Sequence, residues 1–135
     1  MSVEAYQTVG KSLPHESAHL HVMGSAQYTD DIPEFASTLH AAIGMSARAH
    51  ARIVSMDLSA VASAPGVVAV VTLDDVPGEK YHGPYQDDEP VFADGKVEYL
   101  GQPMFAVAAT SHDLARRAVS LAKIEYEDLD PVLTV

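Results

Sequence analysis

The clearest pattern of apolar and polar positions lies in "VEYLGQPMFAVAAT", residues 97–110, where two apolar runs flank a Gly101-Gln102-Pro103 interruption. The pattern predicts strands over "VEYL" and "PMFAVAAT". Gly and Pro both weaken a strand, so the interruption reads as a break or bulge that re-aims the chain. Upstream, "LHAAIGMS" (39–46) and "ARIVSMD" (51–57) read as strands. Asp57 is placed to cap a short helix through Ser63, because its carboxylate can accept the free amide protons of a first turn. Pro65-Gly66 stops that helix, and "VVAVVTL" (67–73) follows as a β-branched run suited to a strand buried on both faces. Downstream, Thr110 and Asp113 form a capping pair for "SHDLARRAVSLAK", with Leu114, Ala118 and Leu121 at helical spacing. "IEYEDL" closes as a strand with Ile124, Tyr126 and Asp128 on one side. Strands and helices mix without strict βαβ alternation, which predicts the α+β class.

Two segments show no period. Residues 1–20 read as an extended N-terminal arm, leaving 21–135 as one domain. Residues 74–96, "DDVPGEKYHGPYQDDEPVFADGK", form a connection longer than the ~12–15 residues usual for a structureless loop, which points to a use.

Composition then narrows the function classes. The chain of 135 residues is the size of one domain, and 47% of it is apolar. Nineteen acidic residues against eight basic ones give a formal charge of −11, which repels phosphate backbones and anionic lipid, so neither nucleic acid nor membrane is expected as a partner. No cysteine is present, which excludes disulfides, thiolate zinc sites, an internal iron–sulfur cluster and a cysteine nucleophile. The longest apolar run is far short of the ~20 residues a bilayer requires, and "MSVEAYQTVGKS" lacks the basic start and apolar core of a secretory signal. A cytoplasmic location is expected.

Candidate chemistry is sparse. His19-x-His21 on a strand would point both rings to one face, with His15 close by, but no third ligand is evident and no familiar zinc spacing is matched. Surface or packing histidines are the reading adopted, and no metal is expected. His50, between Arg48 and Arg52, reads as a neutral, hydrogen-bonded structural histidine. Asp30-Asp31, Asp74-Asp75 and Asp87-Asp88-Glu89 lie beside prolines or at strand ends, where carboxylates cap and solvate turns. No G-x-G-x-x-G, Walker lysine loop or G-x-S-x-G elbow occurs, so the residues alone display no catalytic constellation.

Three longer strings change the picture. "VGKSLPHESAHLHVMGSAQYTDDIP" (9–33), "SARAHARIVSMDLSAVASAPGVVAVVTLDDVPG" (46–78) and "DDEPVFADGKVEYLGQPMFAVAATSHDLARRA" (87–118) together resemble the N-terminal a/b hammerhead domain of the molybdenum-binding subunit in the xanthine dehydrogenase and aldehyde oxidase family. The "PHESA…HV" opening looks most like bacterial enzymes with a separate large subunit. The resemblance covers about residues 8–135. It implies a mixed sheet with about two helices packed on it, a supporting piece of a longer chain, and no catalytic residue here. The holoenzyme it implies hydroxylates hypoxanthine and xanthine to urate, with water as oxygen source. Molybdopterin, [2Fe–2S] clusters, FAD and NAD lie on other domains of the molybdenum subunit and on a FAD/iron–sulfur subunit. The resemblance also places Tyr85 and Gln86, with Pro84 one residue away, nearest the substrate channel. Gly101, Gln102, Pro103 and His50 then read as structural or interface residues, with Gln102 offering an amide to a neighbouring backbone or domain. A free-standing acidic binding module and an aldehyde-oxidising relative are the alternative readings.

Overall fold

The run 103–109 becomes the central strand of one sheet, its residues apolar on both faces and a strand paired along each edge. A computed structural model describes residues 9–130. Residues 1–8 of the expected arm and 131–135 at the end of the expected domain lie outside the described residues. The chain divides into two compact units, Met1–Ala36 and Ser37–Val135.

The first unit, expected to be extended through residue 20, instead holds a short helix, α1 (Ala18–Met23), that crosses the expected boundary. Gly24 ends it in the left-handed conformation, φ 71°, so that its own amide and those of Ser25 and Ala26 reach back to the last-turn carbonyls. His19 and His21 therefore sit on a helix rather than a strand, about 200° apart around its axis, and do not share a face.

The second unit comprises β1 (His40–Met45), β2 (Ala51–Asp57), α2 (Ser59–Ala62), β3 (Val67–Val71), β4 (Tyr81–His82), β5 (Glu89–Pro90), β6 (Lys96–Val97), β7 (Pro103–Ala109), α3 (His112–Val119) and β8 (Lys123–Asp128). The strands form three sheets, β1-β7-β3, β6-β2-β8 and the ribbon β4-β5. The α+β class holds. Its sheets are open, and every strand pairing among the described residues is antiparallel rather than mixed. The chain changes sheets at Ser46, which is buried and whose hydroxyl both accepts the Arg48 amide and donates to the Arg48 carbonyl, closing a tight corner between β1 and β2.

The core joins the two larger sheets. Met104, Phe105 and Val107 of β7 pack with Ala51 of β2, Val97 of β6, Val61 of α2 and Ala118 of α3. The Tyr126 hydroxyl of β8 donates to the Met104 sulfur at 3.2 Å. Local signals act one residue away from their expected places. Asp57 Oδ1 accepts the Ser59 amide at 2.9 Å, with Leu58 at the α2 cap position. Ser111, not Thr110, caps α3 by accepting the Leu114 amide, and Asp113 is ion-paired with Arg117 one turn on. The run 67–73 is not buried on both faces. It is the edge strand of its sheet, Val68 is exposed, and it stops where the Asp75 carboxylate takes the Thr72 amide and hydroxyl protons and starts a 3-10 turn.

Candidate functional site

Residues 74–96, expected to be structureless, fold into a hairpin pinned at both ends. Lys80 is ion-paired with Asp74 at 3.1 Å, Tyr81 faces Pro90 and His82 faces Glu89 across the ribbon, and the Val91 amide donates to the Lys80 carbonyl. The Tyr81 hydroxyl donates to the Asp94 carboxylate, and this bond raises the Tyr81 pKa above its ordinary value. Phe92 and Ala93 are buried, and the Ala93 amide donates to the Pro103 carbonyl at 2.8 Å, which anchors the hairpin base on the first residue of β7. The tip is residues 83–88. At Gly83 a Cβ would collide with the Gln86 carbonyl oxygen, so the tip folds back on itself where only glycine fits.

At that tip Pro84, Tyr85 and Gln86 line a shallow depression of about 400 Å³ with Asp88 and Glu89. Tyr85 is 98% exposed, its ring touching nothing that would fix it. Below the tip runs a second cleft of about 530 Å³. His82, Asp88 and Glu89 form its hairpin side, and Glu98, Tyr99 and Gln102 form the other.

The Gly101-Gln102-Pro103 interruption builds the floor of this second cleft. The expected strand over 97–100 ends at Val97, and the chain turns through Tyr99–Gln102, with the Gln102 amide donating to the Tyr99 carbonyl at 3.2 Å. Gly101 occupies the third turn position at φ 85°, the left-handed value a type II turn requires there. The Gly101 amide donates to the Ser46 carbonyl and the Ser46 amide to the Gln102 carbonyl, tying the turn to the end of β1. Pro103 then opens β7 where no ladder N–H is needed. The register slips between Gly44 and Met45, so that Gly44 faces Phe105 and Met45 faces Pro103. The interruption is thus a turn followed by a bulge.

Gln102 is buried, 5% exposed, and its Oε1 accepts the Glu98 amide at 2.7 Å. That bond fixes the orientation of the side-chain amide. Gln102 also lines the cleft, and no fully buried side-chain nitrogen or oxygen among the described residues lacks a hydrogen-bond partner. Glu98 is held below its ordinary pKa, first by its hydrogen bond to Lys96 at 2.6 Å and then by the Lys96 charge, so it is ionised at neutral pH.

His50 does not line the cleft, although it lies near enough to Glu98, which does, to help lower that carboxyl's pKa. Its Nδ1–H donates to the Asp130 carbonyl at 2.8 Å, and its own carbonyl accepts the Leu129 amide, stapling the start of β2 to the chain beyond β8. The flanking arginines face carboxylates, Arg48 with Asp128 at 3.1 Å and Arg52 with Glu127 at 3.2 Å. In the first unit, His15 accepts the Ser17 amide, and His21 shares a 3.0 Å hydrogen bond with the Tyr28 hydroxyl. Asp31 and Asp75 cap 3-10 turns. Among the described residues no group of three or more histidine or carboxylate side chains is placed to hold a metal ion, and no helix is long and apolar enough to cross a membrane.

The structure thus brings Gln102 and Pro103 beneath the hairpin, places Tyr85 at its tip and sets His50 behind Glu98, outside the cleft lining. Sequence reasoning missed His82, Glu98 and Tyr99. The available signal was the turn-former pair Gly83-Pro84 directly after Tyr81-His82, which opens a hairpin whose return strand, Glu89–Pro90, sets His82 beside Glu89.

Comparison with known proteins fits this geometry to one family. The chain is similar to xanthine dehydrogenase of Oryza sativa subsp. japonica, 43% identical over 127 residues that make up 94% of this chain and 9% of that protein. It is equally similar to aldehyde oxidase 2 of Rattus norvegicus, 43% identical over 125 residues, 93% of this chain and 9% of that protein. Among solved structures, the aldehyde oxidoreductase from Desulfovibrio desulfuricans superimposes with a TM-score of 0.78 at 31% identity, covering 90% of this chain and 15% of that one. The chain therefore spans about a tenth of the length of the curated relatives it matches. Residues 23–130 match the family described as "Aldehyde oxidase and xanthine dehydrogenase, a/b hammerhead domain", and the chain belongs to that family.

Proposed function

We propose that this chain is the scaffold and channel-mouth domain of the molybdenum-binding subunit of a molybdenum hydroxylase acting on purines, hypoxanthine and xanthine, with NAD as electron acceptor. The observation that supports this reading is the hairpin 81–91, which holds Tyr85 free at its tip on a base buried against β7, in a chain whose relatives are about ten times longer. A rigid base with an unhindered aromatic tip suits a channel mouth, where the ring stacks on a flat heterocycle and narrows the path. Pro84 and Gln86 shape the same depression.

The residues present do not fit a redox centre of their own. The chain has no cysteine for an iron–sulfur cluster and no G-x-G-x-x-G loop for a dinucleotide, and its described residues bring no three metal donors together. In this reading molybdopterin, the [2Fe–2S] clusters and FAD are carried by the remaining domains and a partner subunit in the cytoplasm, and the isolated chain forms no urate. What this chain contributes is shape, an aromatic surface and the Gln102 donors, which reach a carbonyl of the adjoining domain. Gly101, Pro103 and His50 hold that framework.

An aldehyde substrate is the second reading, favoured by the equal identity to an aldehyde oxidase. The test is Tyr85→Ala in the full-length protein. Loss of one stacking contact raises KM for xanthine about 3- to 10-fold with molybdenum content unchanged. An unaltered KM and kcat for xanthine would remove Tyr85 from the channel, and turnover of an aldehyde without turnover of xanthine would select the second reading.

A further inference from the structure

The sequence contains no asparagine, and of its aspartates only Asp94 precedes a glycine. Glycine presents a backbone nitrogen with no side chain crowding it, so this dipeptide is where a carboxyl can most easily close on the following amide. Asp94 and Gly95 are both exposed, at the joint where the chain leaves the hairpin and enters β6. Gly95 has a left-handed φ of 66°, with open space where a Cβ would stand.

The main chain is held on either side of this joint. Before it, Ala93 is buried and its amide donates to the Pro103 carbonyl. After it, the Gly95 carbonyl accepts the Ile53 amide at 2.9 Å, and Lys96 pairs with Arg52 of β2. The Asp94 side chain is held by a different element, since its Oδ2 accepts from the Tyr81 hydroxyl of β4.

We propose that Asp94-Gly95 is a site of spontaneous backbone isomerisation and that the Tyr81 hydroxyl is the latch that slows it. The Gly95 nitrogen attacks Cγ of the protonated Asp94 carboxyl. The N–Cγ bond forms, one Cγ–O bond breaks, and that oxygen leaves as water with the carboxyl proton and the amide proton. Water then opens the resulting succinimide. Addition at the Cγ carbonyl restores aspartate. Addition at the Asp94 backbone carbonyl breaks its bond to the Gly95 nitrogen and gives isoaspartate, whose main chain runs through Cβ and Cγ and is longer by one carbon. Water is the only co-reactant, and no enzyme or cofactor has to reach the site.

Tyr81 opposes the first step. Ring closure turns the Asp94 side chain until Cγ meets the Gly95 nitrogen, and a carboxylate tethered to β4 gives up its hydrogen bond to do so. One hydrogen bond of ordinary net strength slows closure about 3- to 10-fold. The extra main-chain carbon then falls between two pinned points. It is absorbed by moving one of them, and the Ala93–Pro103 contact is the base of the hairpin. The inference stands whatever the hairpin borders.

The test incubates the full-length protein and its Tyr81→Phe variant at mildly acidic pH, native and in guanidinium. Trypsin releases residues 81–96 as one peptide, in which Asp87 and Asp88 serve as internal controls. Electron-transfer fragmentation then locates and quantifies isoaspartate. It is expected at position 94 and not at 87 or 88, about 3- to 10-fold faster in native Tyr81→Phe than in the native parent, with equal rates in guanidinium. Equal native rates overturn the latch. Isoaspartate that forms in guanidinium but never in the native parent overturns the site. Should Tyr81→Phe fail to fold, the parent decides alone: a native rate as fast as that in guanidinium overturns the latch, and a slower one supports it. Gly95→Ala should lower the yield several-fold, and an undiminished yield overturns ring closure through that nitrogen.

Discussion

Replacing Gly44 with alanine isolates a close approach that the fold depends on. The new Cβ would fall against the Phe105 ring, colliding with Cε1 and Cζ and lying 2.7 Å from Cδ1. Phe105 is 1% exposed and is the largest of the fully buried side chains, so displacing its ring disturbs the core packed around it. Gly44 does not have a left-handed φ, and backbone strain therefore contributes nothing. Overpacking of this kind costs about 1–3 kcal/mol, and a contact this short belongs near the upper end. Alanine recovers about 0.5–1 kcal/mol by restricting the unfolded chain. The net loss is about 2 kcal/mol, or a fall in Tm of about 10 °C for a unit of this size. Urea titrations of the parent, Gly44→Ala, Phe105→Leu and the double variant measure it. The smaller side chain removes the collision, so the double variant should be more stable than the sum of the single changes predicts, by at least about 1 kcal/mol. A Gly44→Ala variant within about 0.5 kcal/mol of the parent, or strict additivity in the cycle, would refute the close-packing argument.

Two further outcomes are expected. Gln102→Leu strands the Glu98 amide and costs about 1–3 kcal/mol in urea unfolding; in the full-length protein it also lowers molybdenum content, and an unchanged content would confine Gln102 to its own turn. The Asp75 pKa is lowered by hydrogen bonds from the Thr72 amide and hydroxyl, and that of Asp57 by hydrogen bonds from Ser59. A carboxyl whose folded pKa is depressed stabilises the fold above its unfolded value, about 4, and loses that contribution as pH falls through the lower folded value. Stability measured by urea unfolding should thus decline below pH ~4. Asp75→Asn should flatten the decline, and an equally steep limb in that variant would exclude this pair.

Most strands were legible because their cause is local. Ala51–Asp57 alternates and is bounded by turn formers, and it folds over the expected residues. The caps were legible to within one residue, since Asp57 and Ser111 act through their own side chains on amides two or three positions away. Pairing partners are a different matter. "VVAVVTL" reads as a two-sided buried strand, because an apolar β-branched run carries no record of how many neighbours it will have. Its place at the sheet edge comes from Ala109, Ala108, Val107 and Ala106 on β7, whose other side is occupied by β1.

The site follows the same division. Gly101-Gln102-Pro103 announced itself as an interruption, and the positive φ of Gly101 explains why that residue stands there. What the turn does depends on Ser46, more than fifty positions earlier, whose carbonyl and amide hold it in place. The hairpin shows the converse. Its composition suggests a loose loop, yet Ala93 reaching Pro103 and Tyr81 reaching Asp94 give it a fixed base. Those two anchors tie a polar, proline-rich segment down at its base and leave Tyr85 exposed at the tip. A loop tied down along its whole length could not admit ligands of different shape, and one tied down nowhere would lose too much entropy on closing over them. Anchor and tip are therefore separable. Substitutions at Tyr85 should leave the stability of the fold unchanged, while substitutions at the Ala93–Pro103 contact should weaken the fold before they reach any substrate.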